Sequence, residues 1–219
     1  MIALFGGLWI AACIGVAIVV ALVLIYRTNF YAFNDIVVYV DNDDRPIGTE
    51  RKLAAHHSET ALHRAFSIFL FNEQGELLLQ QRAHSKKTWP GVWSNSCCGH
   101  PMLHESTESA VRRRVKDELG MKSLRIVLAL PDFRYRAELN GIVENEICPV
   151  YVGVVDGDLA PAPDEVAETT WVKWDVFLAM VRDPASGISP WAVLEAEELE
   201  RGGLLRAKLQ ELGIALPSH

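Results

Sequence analysis

The sequence lacks a surplus of basic residues and lacks a spaced set of cysteines. Its 21 lysines and arginines are outnumbered by 28 aspartates and glutamates, for a formal net charge of −7. General nucleic-acid binding favours a basic surface, so this charge argues against it. Of the four cysteines, Cys13 lies in an apolar run and Cys97 and Cys98 are adjacent. We therefore expect no disulfide framework and a reduced, cytosolic setting for the folded domain.

Charge is also missing from the N-terminus, where Met1 to Tyr26 contains no charged residue. The run from Leu8 to Tyr26 is long enough to cross a bilayer as a helix. No basic stretch precedes it and no small-residue cleavage site is obvious, which disfavours a cleaved signal peptide. Arg27 favours a cytoplasmic location for the residues C-terminal to it. We interpret residues 1–34 as a hydrophobic transmembrane helix and linker, with residues 1–26 anchoring a cytoplasmic catalytic domain to the inner face of the membrane. A mis-set start codon is the competing interpretation.

Residues 35–219 are predicted to form one α+β domain, since their length suits a single domain and strands precede most helices. Half of the whole chain is hydrophobic, which is enough for a full core. Alternation and turn residues predict strands at 36–40, 63–71, 76–81, 124–130 and 147–155, with turns at 42–46 and 72–75 and a loop at 158–168. Helical spacing predicts helices at 107–119, closed by Gly120, at 171–181 and at 191–212, the last with an acidic solvent face at 195–200.

Two short segments combine metal-binding and acid–base side chains at strand spacing. Residues two apart on a strand point to the same side. Glu144 and Glu146 would therefore present two carboxylates on one face, and Cys98 and His100 a thiol and an imidazole on one face of another strand. Such a set can hold a divalent metal and keep a thiol beside a carboxylate. The alternative is that the two glutamates are the solvated face of an edge strand.

Residues 99–121 overlap the second of these segments and include Gly99, Glu105 and the run from Arg113 to Met121. They resemble a degenerate Nudix box. The Nudix box is a loop–helix element that binds a diphosphate through a metal ion. Its usual Arg-Glu pair is Arg113-Arg114 here, and its Glu-Glu pair is Asp117-Glu118. A hydrolase of this type needs several carboxylates on the helix to hold metals and activate water, so Arg114 weakens that interpretation. Glu118 is still able to hold Mg²⁺. The further matches to the box are Gly99, Glu105 and Met121.

Several motifs in order resemble those of type I isopentenyl-diphosphate Δ-isomerase, over roughly residues 35 to 210. The resemblance implies a Nudix-like mixed sheet flanked by helices and a 1,3-allylic proton shift. That reaction converts isopentenyl diphosphate to dimethylallyl diphosphate by protonation and deprotonation, and it depends on a metal. The motifs are Ala54-Ala55-His56, Leu62-His63, Arg82 to Lys87, Trp89 to Pro101, Pro131 to Arg136, Gly141 to Pro149 and Ser189-Pro190-Trp191.

The same resemblance assigns the catalytic and metal-binding residues. Cys98 and Glu146 lie on the two faces of the substrate, and which of them donates the proton stays open. A thiolate stabilised by nearby cationic groups suits the role of Cys98, and Tyr135 relays or orients the proton near Glu146. Three imidazoles and two carboxylates suit Zn²⁺, Mn²⁺ or Mg²⁺ in roughly octahedral geometry. These ligands are His56, His63, His100, Glu144 and Glu146.

The diphosphate is expected to meet basic residues, because it carries up to three negative charges. Trp191 is expected to face the developing carbocation, and Glu118 is expected to hold the Mg²⁺ that accompanies the diphosphate. The partner is a small prenyl diphosphate, without nucleic acid, and the protein is a monomer or weak dimer. Two alternatives are a Nudix-type diphosphate hydrolase and an inactive metal-binding scaffold tethered to the membrane. The expected diphosphate-binding residues are Lys52, Arg82, Lys86 and Arg114.

Overall fold

The computed structural model describes Ile18 and residues 36–216. The predicted hydrophobic helix and linker at 1–34 therefore lie, apart from Ile18, outside the described residues. Within the described part of the chain, no helix is both long enough and apolar enough to cross a membrane. Residues 37–216 belong to one folded unit, built from two mixed sheets and five helices.

The first sheet places the two glutamates between neighbouring strands. Its strand order is β2-β1-β3-β10-β9. Glu146 of β10 is the parallel partner of His63 in β3 and the antiparallel partner of Tyr135 in β9. Because β10 is an interior strand, its Glu-x-Glu segment is not the face of an edge strand. The strands are β1 (Ile36–Val40), β2 (Pro46–Arg51), β3 (His63–Arg64), β9 (Arg134–Leu139) and β10 (Ile142–Ile147).

The second sheet has two buried faces, because its strands alternate apolar side chains between two cores. Its main order is β12-β5-β4-β11-β8, with short β6 beside β5 and β7 beside β4. Phe69 and Phe71 enter one core, whereas Phe66, Ile68 and Leu70 enter the other. The strands are β4 (Phe66–Phe71), β5 (Leu77–Arg82), β6 (Trp93–Ser94), β7 (Cys97–Gly99), β8 (Ser123–Leu130), β11 (Val150–Asp156) and β12 (Val166–Val172).

The helices cover the two faces of this second sheet. Helix α2 is bounded as predicted: Ser106 caps its N-terminus, and Gly120 closes it with the left-handed backbone (φ 73°) that glycine allows at a C-cap. Helix α2 packs on one face of the sheet, and α3, α4 and α5 pack on the other. The helices are α1 (Lys52–Ala55), α2 (Thr107–Leu119), α3 (Trp174–Arg182), α4 (Pro190–Glu200) and α5 (Leu204–Glu211).

Two predicted strands were wrong in the same way, because each is two strands in different sheets. The predicted strand 63–71 breaks at Ala65, and the predicted strand 147–155 breaks at Cys148-Pro149. Proline has no N–H and cannot continue a ladder in a sheet interior. The Ala65 amide donates to the Ile147 carbonyl and the Ser67 amide to the Pro149 carbonyl. The chain thus crosses between the sheets at two adjacent points, beside the glutamates of β10.

The C-terminal predictions also need correction. The predicted helix 171–181 begins only at Trp174, because strand β12 continues to Val172. The same strand begins at Val166, so the last residues of the predicted loop 158–168 are part of a strand. The predicted helix 191–212 is interrupted at Gly202 and Gly203, whose φ values are 65° and 73°. The predicted solvent-exposed acidic face at 195–200 is wrong at one position, because Glu195 is fully buried.

Candidate active site

A narrow cavity of about 30 Å³ lies where residues of both sheets meet. Strand β10 contributes Glu144 and Glu146. Strand β7 contributes Cys98, and His100 directly follows that strand. Eight of the predicted site residues line it, together with Thr88 and Gly99. These eight are Lys52, Arg82, Cys98, His100, Tyr135, Glu144, Glu146 and Trp191.

The five predicted metal ligands form one cluster beside this cavity. One ligand atom from each lies within 4.8 Å of all the others. The three imidazole rings are 5.0 to 5.5 Å apart between centroids. The cluster consists of His56, His63, His100, Glu144 and Glu146.

Backbone carbonyls orient two of these histidines. The Nδ1 atom of His56 lies 2.5 Å from the Lys52 carbonyl, and that of His63 lies 2.9 Å from the Ala61 carbonyl. These contacts place the proton on Nδ1 and leave the Nε2 lone pair free for a metal. Both Nε2 atoms are buried without a hydrogen-bond partner, although His56 Nε2 is 2.9 Å from Glu144 Oε2. Unpaired, buried, convergent donor atoms of this kind fit a divalent cation.

Glu146 sits between two of the imidazoles. Its Oε1 atom lies 3.3 Å from His100 Nε2 and 3.4 Å from His63 Nε2. Burial acts to raise the pKa of Glu146, but the adjacent imidazoles of His100 and His63 hold that pKa well below its usual range. Burial lowers the pKa of His100 well below its ordinary value. Glu146 is therefore a carboxylate and His100 is neutral, which are the forms that bind metal.

Cys98 and Cys97 face opposite sides of the second sheet. Cys98 is the cross-strand partner of Ser67, and Cys97 that of Ile68. The Cys98 thiol donates to Asn95 Oδ1 at 3.2 Å and lies 3.3 Å from Ser67 Oγ. Burial raises the pKa of Cys98 to about 12, so it is a neutral thiol in the substrate-free protein. The expectation of a thiolate stabilised by cations was therefore wrong, because burial outweighs the effect of Arg82.

The predicted cations converge on one end of the cavity. Burial, and repulsion from Lys86, Arg114 and Arg82, lower the pKa of Lys52 to about 8. This repulsion indicates that the four positive charges lie near one another. The Arg82 guanidinium is held by the Trp89 and Thr88 carbonyls at 3.1 and 3.0 Å. Lys52 and Arg82 line the cavity, while Lys86 and Arg114 lie next to it in an ion-pair network.

Glu165 is the centre of that network, and it was missed in the sequence. Its carboxylate pairs with Lys86 and lies 3.0 Å from Arg114. Burial acts to raise its pKa, but Arg114 and Lys86 lower the pKa of Glu165 to about 2. It lies in the acidic, proline-rich segment that was predicted only as a loop. It directly precedes Val166, where β12 begins, and no local pattern marked that position in the sequence.

Helix α2, which carries the residues that match the Nudix box, contributes two arginines that form ion pairs with glutamates. Arg113 binds Glu105 through two hydrogen bonds of 2.8 and 2.7 Å and contacts the His100 carbonyl at 3.3 Å. This bidentate pair fixes the loop after β7 against α2. Glu118 is buried and pairs with Arg114, the residue that departs from the motif. Both Arg114 hydrogen bonds go to the Oε1 atom of Glu118.

Aromatic rings form one wall of the cavity. The Trp191 indole N–H donates to Ser94 Oγ at 2.9 Å and to Asn95 Oδ1 at 3.2 Å, which fixes the ring. Trp89 meets it edge-on at 5.1 Å between centroids, and Tyr135 is at 6.1 Å. Burial, followed by Glu146, raises the pKa of Tyr135 well above its ordinary value, so its hydroxyl keeps its proton.

Solved structures resemble this chain in fold. A crystal structure of a protein from Deinococcus radiodurans aligns with a TM-score of 0.61 and 19% identity, covering 76% of this chain and 99% of that one. A MutT protein from Methanosarcina mazei aligns with a TM-score of 0.53 and 23% identity, covering 65% of this chain and 95% of that one. At these identities the likeness shows the fold alone.

Sequence comparison defines the family. The NUDIX domain profile matches residues 61–192. An isopentenyl-diphosphate Delta-isomerase of Saccharopolyspora erythraea is 48% identical over 164 residues, covering 74% of this chain and 84% of that protein. One of Citrobacter koseri is 48% identical over 171 residues, covering 78% and 94%. The chain belongs to the isopentenyl-diphosphate Delta-isomerase family and carries a NUDIX domain.

Proposed function

We propose that this protein isomerises isopentenyl diphosphate to dimethylallyl diphosphate. The observation that carries the proposal is one cavity that joins a thiol, a carboxylate and a cationic end. Cys98 and Glu146 both line it, and Lys52 and Arg82 line it as well. This combination fits a substrate with an anionic head and a short alkene that must gain one proton and lose another.

The reaction adds a proton to the terminal alkene carbon and removes one from C2. Addition gives a tertiary carbocation, and loss from C2 moves the double bond. An alkene is a weak base, so the acid must be positioned and water must be excluded. Cys98 and Glu146 are the two groups that exchange these protons. Tyr135, whose ring lies on β9 opposite Glu146, orients the proton near that carboxylate.

The head group is held by the cations at the other end of the cavity. Lys52, Arg82, Lys86 and Arg114 together offset a diphosphate with up to three charges. Arg82 is pre-oriented by backbone carbonyls, so little side-chain entropy is lost when it binds. In the substrate-free protein, Glu165 positions Lys86 and Arg114 through its ion pairs with both side chains.

Trp191 shields the carbocation. Its ring lines the cavity and cannot rotate freely, because its N–H is bound to Ser94 and Asn95. The face of an indole stabilises a nearby positive charge by about 0.5–2 kcal/mol. Arg82 lies 5.9 Å from the centroid of the same ring, and this cation–π contact supports the proposed role.

The five-residue cluster would hold a divalent cation, with Mn²⁺, Zn²⁺ and Mg²⁺ all compatible with its donors. When bound there, such an ion supplies positive charge that sets the acidity of Glu146. His56, His63 and Glu144 serve to hold it. Glu118 is assigned to the Mg²⁺ that accompanies the diphosphate.

The second candidate is a Nudix-type diphosphate hydrolase. It is favoured only by the NUDIX domain over residues 61–192. Hydrolysis needs a set of carboxylates on α2 to activate water, and Arg114 replaces one and pairs with Glu118. The isomerase is the stronger candidate on this ground.

Incubation with isopentenyl diphosphate distinguishes the two candidates. We expect purified, metal-loaded protein to form an acid-labile allylic diphosphate and to release no phosphate. Both products are measured on the same sample, with chelated protein as the control. Release of phosphate or pyrophosphate without allylic product would reject the isomerase in favour of the hydrolase.

The N-terminal run supports a separate proposal, that residues 1–26 anchor the catalytic domain to the inner face of the membrane. About 19 apolar residues span about 28 Å as a helix, close to a hydrocarbon core. We expect the complete chain to pellet with membranes, to resist high salt and to be released by detergent. A chain that begins at Ile36, the first residue of β1, should stay in the supernatant and be fully active. A complete chain that needs no detergent would show that the anchor is wrong.

A further inference from the structure

Asn95 is a buried amide that contacts two different parts of the cavity wall. It lies between β6 and β7, the strand that carries Cys98. The side chain is fully buried and is outside the set of residues that line the cavity. An amide taken out of water costs free energy unless its nitrogen and its oxygen find hydrogen-bond partners. The partners of Asn95 therefore show what its side chain holds in place.

The amide nitrogen fixes the orientation of the side chain. Asn95 Nδ2 donates to the Ile68 carbonyl at 3.1 Å and to the Cys97 carbonyl at 3.3 Å. Both partners are carbonyl oxygens, which only accept, so the group that faces them must be the NH₂ and not the amide oxygen. These two bonds tie the side chain to β4 and β7 and leave Oδ1 to accept from other groups.

Three donors meet at the amide oxygen. The Ser94 hydroxyl donates to Asn95 Oδ1 at 2.7 Å. The Cys98 thiol and the Trp191 indole N–H each donate to the same atom at 3.2 Å. An amide oxygen has two lone pairs, and the indole N–H is shared with Ser94 Oγ at 2.9 Å. One oxygen atom is thus a common acceptor for the thiol and the indole that the proposed reaction uses.

Ser94 extends the same constraint to the indole by a second route. A hydroxyl has one hydrogen, and that of Ser94 goes to Asn95. Its oxygen is then left to accept from Trp191 Nε1 and from Ser189 Oγ, which lies 3.0 Å away. Ser189 directly precedes α4, the helix that carries Trp191. Asn95 therefore holds the indole directly and also through the direction that it gives to the Ser94 hydroxyl.

We propose that Asn95 is a positioning residue that sets the Cys98 thiol and the Trp191 ring relative to each other. The thiol comes from β7 and the ring from α4, so no local geometry fixes the distance between them. The alkene must lie against both groups at once, and an error of about 1 Å in such a placement can cost about 100-fold in rate. A shared acceptor restrains both groups, because neither can move away without losing its bond to the same atom. This inference rests on the proposed function, since it is isomerisation that needs both groups at one substrate.

Asn95→Ala tests this role through a split between kcat and KM. We expect kcat to fall by at least about 10-fold, the effect of losing roughly one hydrogen bond in the transition state. KM should stay within about 2-fold, because the diphosphate-binding residues are untouched.

Ser96→Ala is the matched control for the loss of buried hydrogen bonds. Ser96 is the next residue and is also fully buried. Its hydroxyl accepts from the Leu70 amide at 2.7 Å and donates to the Leu78 carbonyl at 2.6 Å. Both variants should therefore unfold at a lower temperature than the wild type, but Ser96→Ala should keep kcat within about 2-fold.

The S–H stretching band of Cys98 tests the contact without any turnover. An infrared difference spectrum isolates this band when each protein is compared with the same protein carrying Cys98→Ala. A hydrogen bond lowers the S–H stretching frequency, so the band should move to higher frequency in Asn95→Ala and stay in place in Ser96→Ala. Ser67 Oγ also lies 3.3 Å from Cys98 Sγ, and Ser67→Ala should leave the band at low frequency. The band reports on Asn95 even if the wild type fails to isomerise the substrate, and Ser67→Ala identifies the acceptor even if Asn95→Ala does not fold.

A double variant tests the link to Trp191. Trp191→Phe keeps an aromatic ring but removes the indole N–H. In Asn95→Ala/Trp191→Phe, the fold loss in kcat should be smaller than the product of the two single losses, because both changes break the same bond. The inference is overturned by a fully multiplicative loss, by equal losses of kcat in Asn95→Ala and Ser96→Ala, or by an S–H band that moves in Ser67→Ala or stays in place in Asn95→Ala.

Discussion

Cys98→Ala is expected to abolish isomerisation, whereas Cys97→Ala leaves most of it. The two residues are neighbours in β7, and successive side chains of a strand point to opposite faces. Cys98 lines the cavity, while Cys97 belongs to the apolar cluster beneath α2. The same chemical change therefore removes a thiol from the cavity in one variant and from the core in the other.

The expected effects differ by orders of magnitude. A positioned acid or base contributes about 10²–10⁴-fold to a rate, so Cys98→Ala should lower kcat at least about 100-fold. Cys97→Ala removes one buried sulfur and should cost about 1–2 kcal/mol in the free energy of unfolding, with little change in kcat. Turnover of isopentenyl diphosphate and thermal unfolding are measured on both variants. Equal loss of activity in two folded variants would disprove the assignment of Cys98.

Spacing alone predicted which side chains of the site share a face. Glu144 and Glu146, and likewise Cys98 and His100, are two residues apart, and the structure places all four against one cavity. This worked because strand alternation is a local property that tertiary packing does not change. The contacts between different strands depended on the family resemblance, since no local pattern specifies that β3 and β10 pair.

The missed features depend on tertiary context. The breaks at Ala65 and at Cys148-Pro149 come from a change of sheet. The predicted strand 147–155 is apolar throughout and the predicted strand 63–71 is mostly apolar, so hydrophobicity did not reveal that each one leaves its sheet. Glu165 is a site residue only because Lys86 and Arg114 are brought to it from distant segments. Its local sequence is that of an ordinary acidic loop.

In contrast to Glu165, the burial of Glu195 could have been predicted from the sequence. Trp191, Ala192, Ala196 and Leu199 form a stripe at helical spacing, and Glu195 falls on it, four residues after Trp191. The run of acidic residues was interpreted as one solvated face, although residues 195 and 197 lie on different sides of a helix. Position on the helix outweighed residue type, and charge alone predicted the wrong environment.

Removal of two metal ligands is the other change with a large expected effect. The double variant His56→Ala/His63→Ala should lose its bound divalent metal and its activity together. Both side chains are buried, and each leaves an unpaired Nε2 atom facing the cluster. Even residues that only orient a metal ligand change affinity or activity by about 10–100-fold. Loss of two direct ligands should therefore lower activity by more than about 100-fold.

His57→Ala is the matched control, because His57 neighbours His56 in sequence but is exposed and lies outside the cluster. It should keep both metal and activity. Metal content is measured by elemental analysis. Folding is measured by thermal unfolding, since the double variant removes the imidazole beside buried Glu144 and one of the two beside buried Glu146. Chelation of the wild type should abolish activity, and added Mn²⁺, Mg²⁺ or Zn²⁺ should restore it in the wild type and in His57→Ala alone. A folded double variant that is active without bound metal would mean that these histidines only support the fold, and that Glu146 needs no cation to exchange its proton.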